Sequence, residues 1–185
     1  MRITIEEKRF GDKLIFSSVV FDIRKGMRTA LLGPSGRGKT TLLRIAAGLD
    51  DDFIGRVDDR PEMPGILFQE DRLSERVSVL SNLMAVTDDR QKALEALGRV
   101  GLEGEGGHYI PELSGGMRRR VAIARLLLLP SDSVFLDEPF QGLDGESKKI
   151  AASALLEYSQ GKTMLFITHD EEDVSLLGAE SVIRL

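Results

Sequence analysis

Apolar positions along this chain follow two rhythms, and the changes between them mark the elements. In residues 2–9 (RITIEEKR) and 17–23 (SSVVFDI) apolar and β-branched residues alternate with polar ones or run together, with Gly11-Asp12 between the two stretches. That pattern predicts a hairpin-like start. Residues 27–32 read as a buried strand, 38–47 as a helix stopped at Gly48, and 66–68 as a short strand after the breakers Pro61 and Pro64. In residues 88–100, Ala93, Leu97 and Val100 recur at helical spacing behind an acidic first turn and before Gly101, which predicts a helix. Short apolar strands at 133–136, 163–167 and 181–185 alternate with helical patterns at 146–157 and 171–177. Strand–helix alternation of this kind predicts an α/β fold with a mainly parallel central sheet and an N-terminal antiparallel β part. Residues 73–112 carry helical signals and no strand signal. They are expected to form a helical subdomain inserted between core segments 1–72 and 113–185 of one domain spanning 1–185.

Composition removes several function classes. The 185 residues contain no cysteine and two histidines, so disulfides and thiolate metal sites are excluded and a histidine-rich metal site has little to draw on. A net charge of −5 disfavours a broad grip on a phosphate backbone, and no nucleic-acid partner is expected. The run 126–129 falls far short of the roughly 20 apolar residues that span a bilayer, and the N-terminus MRITIEEKRF has no signal-peptide core. The chain is not expected to enter a membrane by itself.

The chemistry begins in LLGPSGRGKTT. Gly33, Gly36, Gly38, Lys39 and Thr40 fit G-x-x-x-x-G-K-[ST] between a predicted strand and a predicted helix, the context that this phosphate-binding loop requires. Glycines let the backbone turn tightly and aim N–H groups at an anion, and the helix N-terminus adds partial positive charge. Gly33, Pro34, Ser35, Gly36, Arg37, Gly38, Lys39, Thr40 and Thr41 are therefore the candidate nucleotide-binding segment of a P-loop NTPase. Lys39 is suited to the β and γ phosphates and Thr40 to Mg²⁺, while the Thr41 hydroxyl serves the loop or only the first helical turn. Arg37 either adds charge near the nucleotide or points outward. A second element, SVFLDEPF, ends an apolar strand in Asp137 and Glu138. Asp137 suits Mg²⁺ binding, and Glu138 suits a general base that activates water.

ELSGGMRRRVAIARLLL, residues 112–128, resembles the signature motif of ATP-binding cassette (ABC) ATPases, and it precedes SVFLDEPFQGLD as in that family. Gln69 in ILFQED stands where the family has its glutamine loop, Gly142-Leu143-Asp144 where it has its D-loop, and His169 in FITHD where it has its switch histidine. The resemblance covers nearly the whole chain. It implies ATP and Mg²⁺ as cofactors, Gln69 as a Mg²⁺ and water ligand, and His169 as a catalytic partner of the γ phosphate. It also implies an ATP-dependent head-to-tail homodimer in which Ser114, Gly115 and Gly116 of one copy meet the phosphates held by the other. Ser-Gly-Gly before a long helix is itself a fitting anion site, although a serine there also serves as an ordinary N-cap.

Phe10 in KRFGDKL occupies the position of the family's base-stacking aromatic, often Tyr, so stacking is kept and a hydroxyl is lost. Met117 at the end of the signature, with Pro-Phe after the acidic pair, looks most similar to importer ATPases for nitrate, sulfonate, taurine and related compounds. The resemblance thus implies an ATPase powering solute import, peripheral on the cytoplasmic face of the inner membrane, with a separate transmembrane permease subunit and a solute-binding protein. Within residues 73–112, Leu73, Val77, Val79, Leu80, Leu83 and Met84 fit either the subdomain's own core or a groove for that subunit. The arginines Arg118 to Arg120 read as packing and salt-bridged surface. The alternative is a soluble ABC ATPase of the DNA-repair or translation type. Residues 70–113 leave no room for a long coiled coil between Gln69 and Ser114, and only one cassette is present.

Overall fold

The hairpin expected from the Gly11-Asp12 break is formed by β1 (Arg2–Phe10) and β2 (Lys13–Asp22), paired antiparallel. β3 (Arg28–Leu32) leads into α1 (Lys39–Ala46). A strand that the sequence pattern did not reveal, β4 (Ile54–Asp58), pairs with the free side of β1, giving a three-stranded sheet in the order β2-β1-β4. Its segment IGRVD holds only two apolar residues and is paired on one side alone, so it shows no buried alternation. This computed structural model describes residues 1–185, and the chain resolves into two compact units, one of residues 1–66, 132–137 and 161–185, the other of 67–131 and 138–160.

In the first unit β5 (Pro64–Leu67), β6 (Ser133–Asp137), β7 (Thr163–Ile167) and β8 (Ser181–Arg184) join β3 in a sheet ordered β5-β6-β7-β3-β8. The β6–β7, β7–β3 and β3–β8 pairings are parallel, as the alternation predicts. Every residue of β6 is buried, the mark of a central strand covered on both faces. Ile3, Ile5, Phe16 and Phe21 of the hairpin share one core with Leu42, Leu43 and Ile45 of α1 and with Phe135, Leu165 and Ile167 of the parallel sheet. Burying side chains of this size stabilises by about 1.5–3 kcal/mol each. The helix α6 (Glu171–Leu176) is capped by Asp170, whose side chain accepts from the Glu172 N–H.

The second unit is helical: α2 (Val79–Met84), α3 (Arg90–Arg99), α4 (Gly115–Leu127) and α5 (Gly145–Tyr158). Each starts at a polar N-cap, Ser78, Asp89, Ser114 and Asp144 respectively, whose side chain accepts from the first turn. The helix predicted over 88–100 is α3, shortened because Asp89 spends its carboxylate on the Gln91 and Lys92 N–H groups. Val79, Leu80 and Leu83 are buried within this unit, so they belong to its own core, whereas Val77 is exposed.

Candidate active site

The loop after β3 is shaped by two glycines that no other residue could replace in place. A Cβ on Gly33, at φ 147°, would lie 2.5 Å from the Leu185 carbonyl oxygen. One on Gly38, at φ 90°, would lie 2.6 Å from the Phe16 ring and 2.8 Å from Ile15. Gly38 is also the N-cap of α1 and offers no side chain to its first turn, which carries no acidic residue. The N–H groups of that turn are thus left for an external acceptor, and the helix end favours an anion. Pro34, Ser35, Gly36 and Arg37 are exposed, while Thr41 is buried.

Lys39 is nearly buried, at 9% exposure, and its Nζ donates to the carbonyls of Gly33 at 2.7 Å and Pro34 at 3.0 Å. Both partners are neutral. An ammonium whose only partners are peptide carbonyls has no carboxylate counter-ion and suits an incoming anion. Beside it, the Thr40 hydroxyl donates to Asp137 Oδ2 at 2.9 Å, joining the start of α1 to the end of β6, where Asp137 is 4% exposed. A hydroxyl and a buried carboxylate in direct contact form an oxygen donor set suited to a hard divalent cation. His169 is exposed directly after β7. The turn that presents it is fixed by Thr168, whose hydroxyl donates to Asp173 Oδ2 at 2.7 Å and accepts from the Asp170 N–H at 3.1 Å.

Phe10, half exposed at the end of β1, lies with its ring centroid 4.6 Å from Nζ of Lys8. Lys8 is 1% exposed and donates to Asp50 Oδ1 at 2.8 Å, with Asp52 Oδ2 at 3.5 Å. Sequence reasoning passed over it, since a lysine in a strand reads as solvent-facing. The register shifts of β1 after Ile5 and after Lys8 change which residues face inward.

The remaining predicted residues belong to the second unit. Gln69 is exposed, as are Ser114 and Gly115. The Ser114 Oγ accepts from the Met117 N–H at 3.2 Å, so the N-cap role is present. A Cβ on Gly116 would lie 3.1 Å from the Gly142 carbonyl oxygen, a tight approach. Glu138 adopts a left-handed φ of 48°, rare for a residue with a side chain and frequent at functional positions. Arg119, read from sequence as packing or surface, is 2% exposed. Its guanidinium donates to the backbone of Phe68, Gln69, Glu138 and Pro139.

Residues 16–141 match the family model described as ABC transporter. This chain belongs to the ABC transporter ATPase family. It is 41% identical over 178 residues to the aliphatic sulfonates import ATP-binding protein SsuB 1 of Rhodococcus jostii, covering 91% of this chain and 72% of that one. Its identity to the aliphatic sulfonates import ATP-binding protein SsuB of Bacillus subtilis is 40% over 199 residues, covering 98% and 78%. Among solved structures, a dimeric bacterial ABC transporter cassette superposes with a TM-score of 0.82 at 28% identity, over 100% of this chain and 94% of that one. The same cassette in a post-hydrolysis state bound to ADP and Pi gives 0.81 at 28% identity, with the same coverage. The α/β P-loop fold and the ATPase class expected from the motifs are those of this ABC cassette. No helix in it is long and apolar enough to cross a membrane.

Proposed function

We propose that this cassette is the ATP-hydrolysing subunit of an importer of aliphatic sulfonates or similar small organic anions, acting with a separate transmembrane subunit. The observation that carries this reading is the 41% identity, over 91% of the chain, to a relative named for aliphatic sulfonate import. In this reading the Lys39 ammonium leaves its two carbonyl partners for the β and γ phosphates, and the bare N–H groups at the start of α1 bind the same anion. Phe10 stacks on the base. Thr40, Asp137 and Gln69 would hold Mg²⁺, which when bound neutralises charge on the phosphate oxygens. Glu138 takes a proton from the attacking water, and His169 donates to the γ phosphate. Ser114, Gly115 and Gly116 contribute N–H groups and a hydroxyl to the nucleotide of a second copy, so two copies close head to tail upon ATP.

The protein would then sit at the cytoplasmic face of the inner membrane, held there by the transmembrane subunit, with a solute-binding protein on the other side. The test is reconstitution with the neighbouring membrane subunit and binding protein in liposomes loaded with ATP and Mg²⁺. Alkanesulfonate uptake that requires ATP is expected, together with co-sedimentation of this chain with the vesicles. Recovery of the chain in the soluble fraction alone, with a correctly inserted membrane subunit, would move it to the soluble ABC ATPases.

A further inference from the structure

Arg119 lies on α4, five residues after the Ser114 cap, and its side chain leaves the solvent altogether. Nη1 donates to the Phe68 carbonyl at 2.6 Å, to the Gln69 carbonyl at 3.2 Å and to Asp71 Oδ1 at 3.1 Å. Nη2 donates to the Glu138 carbonyl at 2.7 Å and Nε to the Pro139 carbonyl at 3.0 Å. One planar cation thus holds the backbone of the two residues read above as the metal ligand and the general base. The grip on residue 138 falls where the chain is strained: Glu138 has φ 48°, and its carbonyl also accepts from the Gln141 N–H at 3.2 Å. A left-handed non-glycine residue persists only where its surroundings over-determine it. Here two consecutive carbonyls, of Glu138 and Pro139, are drawn onto one guanidinium edge.

We infer that Arg119 is a positioning residue of the ATPase reaction, fixing from the signature helix the turn that presents Glu138 and the loop that presents Gln69. The chemistry needs arginine. A guanidinium has five donors in a rigid fork, which can span carbonyls from two separate segments, whereas a lysine ammonium is a single point with three donors on a flexible stem. The inference rests on the assignment of Glu138 as general base, and the experiment separates the two.

Arg119→Lys, Glu138→Gln and the double variant are purified, and kcat, KM for ATP and melting temperature are measured for each. Arg119→Lys is expected to lower kcat at least 10-fold with KM for ATP changed less than threefold. In the Glu138→Gln background the same change should lower kcat by at most about a third of that factor, because the residual rate no longer uses the positioned carboxylate and only the hold on the Gln69 loop is left to lose. An equal fold-loss in both backgrounds overturns the inference while leaving Glu138 in its role. Unchanged turnover in Glu138→Gln alone overturns both. Should Arg119→Lys fail to accumulate as folded protein, Asp71→Asn weakens the same clamp and leaves its carbonyl partners in place. A several-fold fall in kcat without change in KM is then expected, and an unchanged kcat overturns the inference.

Discussion

Two lysines of the first unit are withdrawn from solvent, and they are partnered in opposite ways. Lys8 is 1% exposed and lies against the carboxylates of Asp50 and Asp52. Lys39 is 9% exposed and is held by two peptide carbonyls. The first is a closed ion pair that fastens the segment following α1 to β1. The second is a cation whose counter-charge the fold does not supply, at the mouth of a loop whose N–H groups are also unclaimed by a cap. Burial alone therefore does not separate structural from functional charge, whereas the identity of the acceptor does.

Removing both charges in parallel should expose that difference most strongly. Lys39→Met is expected to lower ATP turnover by about 10²- to 10³-fold, the size seen when one preorganised donor to developing charge is lost. Its melting temperature should be no lower than the parent's, since an uncompensated buried cation has gone. Lys8→Met should do the reverse: it leaves Asp50 without its cation, costs about 3 kcal/mol and lowers the melting temperature by about 6–12 °C. Turnover of the folded fraction at saturating ATP should then stay within about twofold, since the lost ion pair acts on stability. Steady-state assays with calorimetry on the two proteins decide the matter. Exchanged outcomes, with Lys39→Met unstable and Lys8→Met inactive, would break the comparison.

Binding and chemistry can then be parted. Glu138 should matter to turnover and not to nucleotide binding. Glu138→Gln is expected to slow hydrolysis by at least about 10²-fold, the lower size of a general-base effect, while nucleotide binding remains. With ATP retained, this variant should sediment as a dimer at tens of micromolar protein and as a smaller species without nucleotide. Unchanged phosphate release would remove Glu138 from the role of base, and a monomer under both conditions would count against closure of two copies on ATP.

What the sequence made legible follows the same division. The glycine spacing before Lys39 was readable because each glycine answers a local demand, a positive φ or a close approach, that leaves few alternatives. The parallel strands were readable because β6 and β7 are continuous apolar runs. Lys8 and Arg119 were not readable, since their burial depends on partners 19 to 51 residues away in sequence and no local pattern announces them. β4 was missed for the related reason that its pairing with β1 supplies what its own composition lacks. Leu80 and Leu83 show the limit of periodicity: an apolar stripe says that something covers it, and only the packing of α2 shows that the cover is the unit's own core.

The smallest effect expected concerns an approximate counterpart of Lys39, an anion held mainly by neutral donors, with the Lys162 ammonium near enough to interact with its charge. Asp132 accepts from the N–H groups of Glu62 at 2.9 Å and Met63 at 3.2 Å and from the Ser133 hydroxyl at 3.0 Å. Desolvation pushes its carboxyl up, but the Met63 and Glu62 donors with the Ser133 hydroxyl outweigh this and hold it below the usual carboxylate range. A folded pKa below the unfolded value means that the ionised form favours the fold. That contribution is complete above the unfolded pKa, about 3.9 for an aspartate, and is lost as pH falls through the folded value. Asp132→Asn should accordingly be less stable than the parent at pH 7, and the gap should narrow as pH is lowered below about 4. Urea midpoints of the two proteins at pH 7, about 4 and about 2.5 would show it. A gap of constant size across that range would mean that Asp132 contributes as a hydrogen-bond acceptor and not as a charge, with neither its neutral donors nor Lys162 favouring the ionised form.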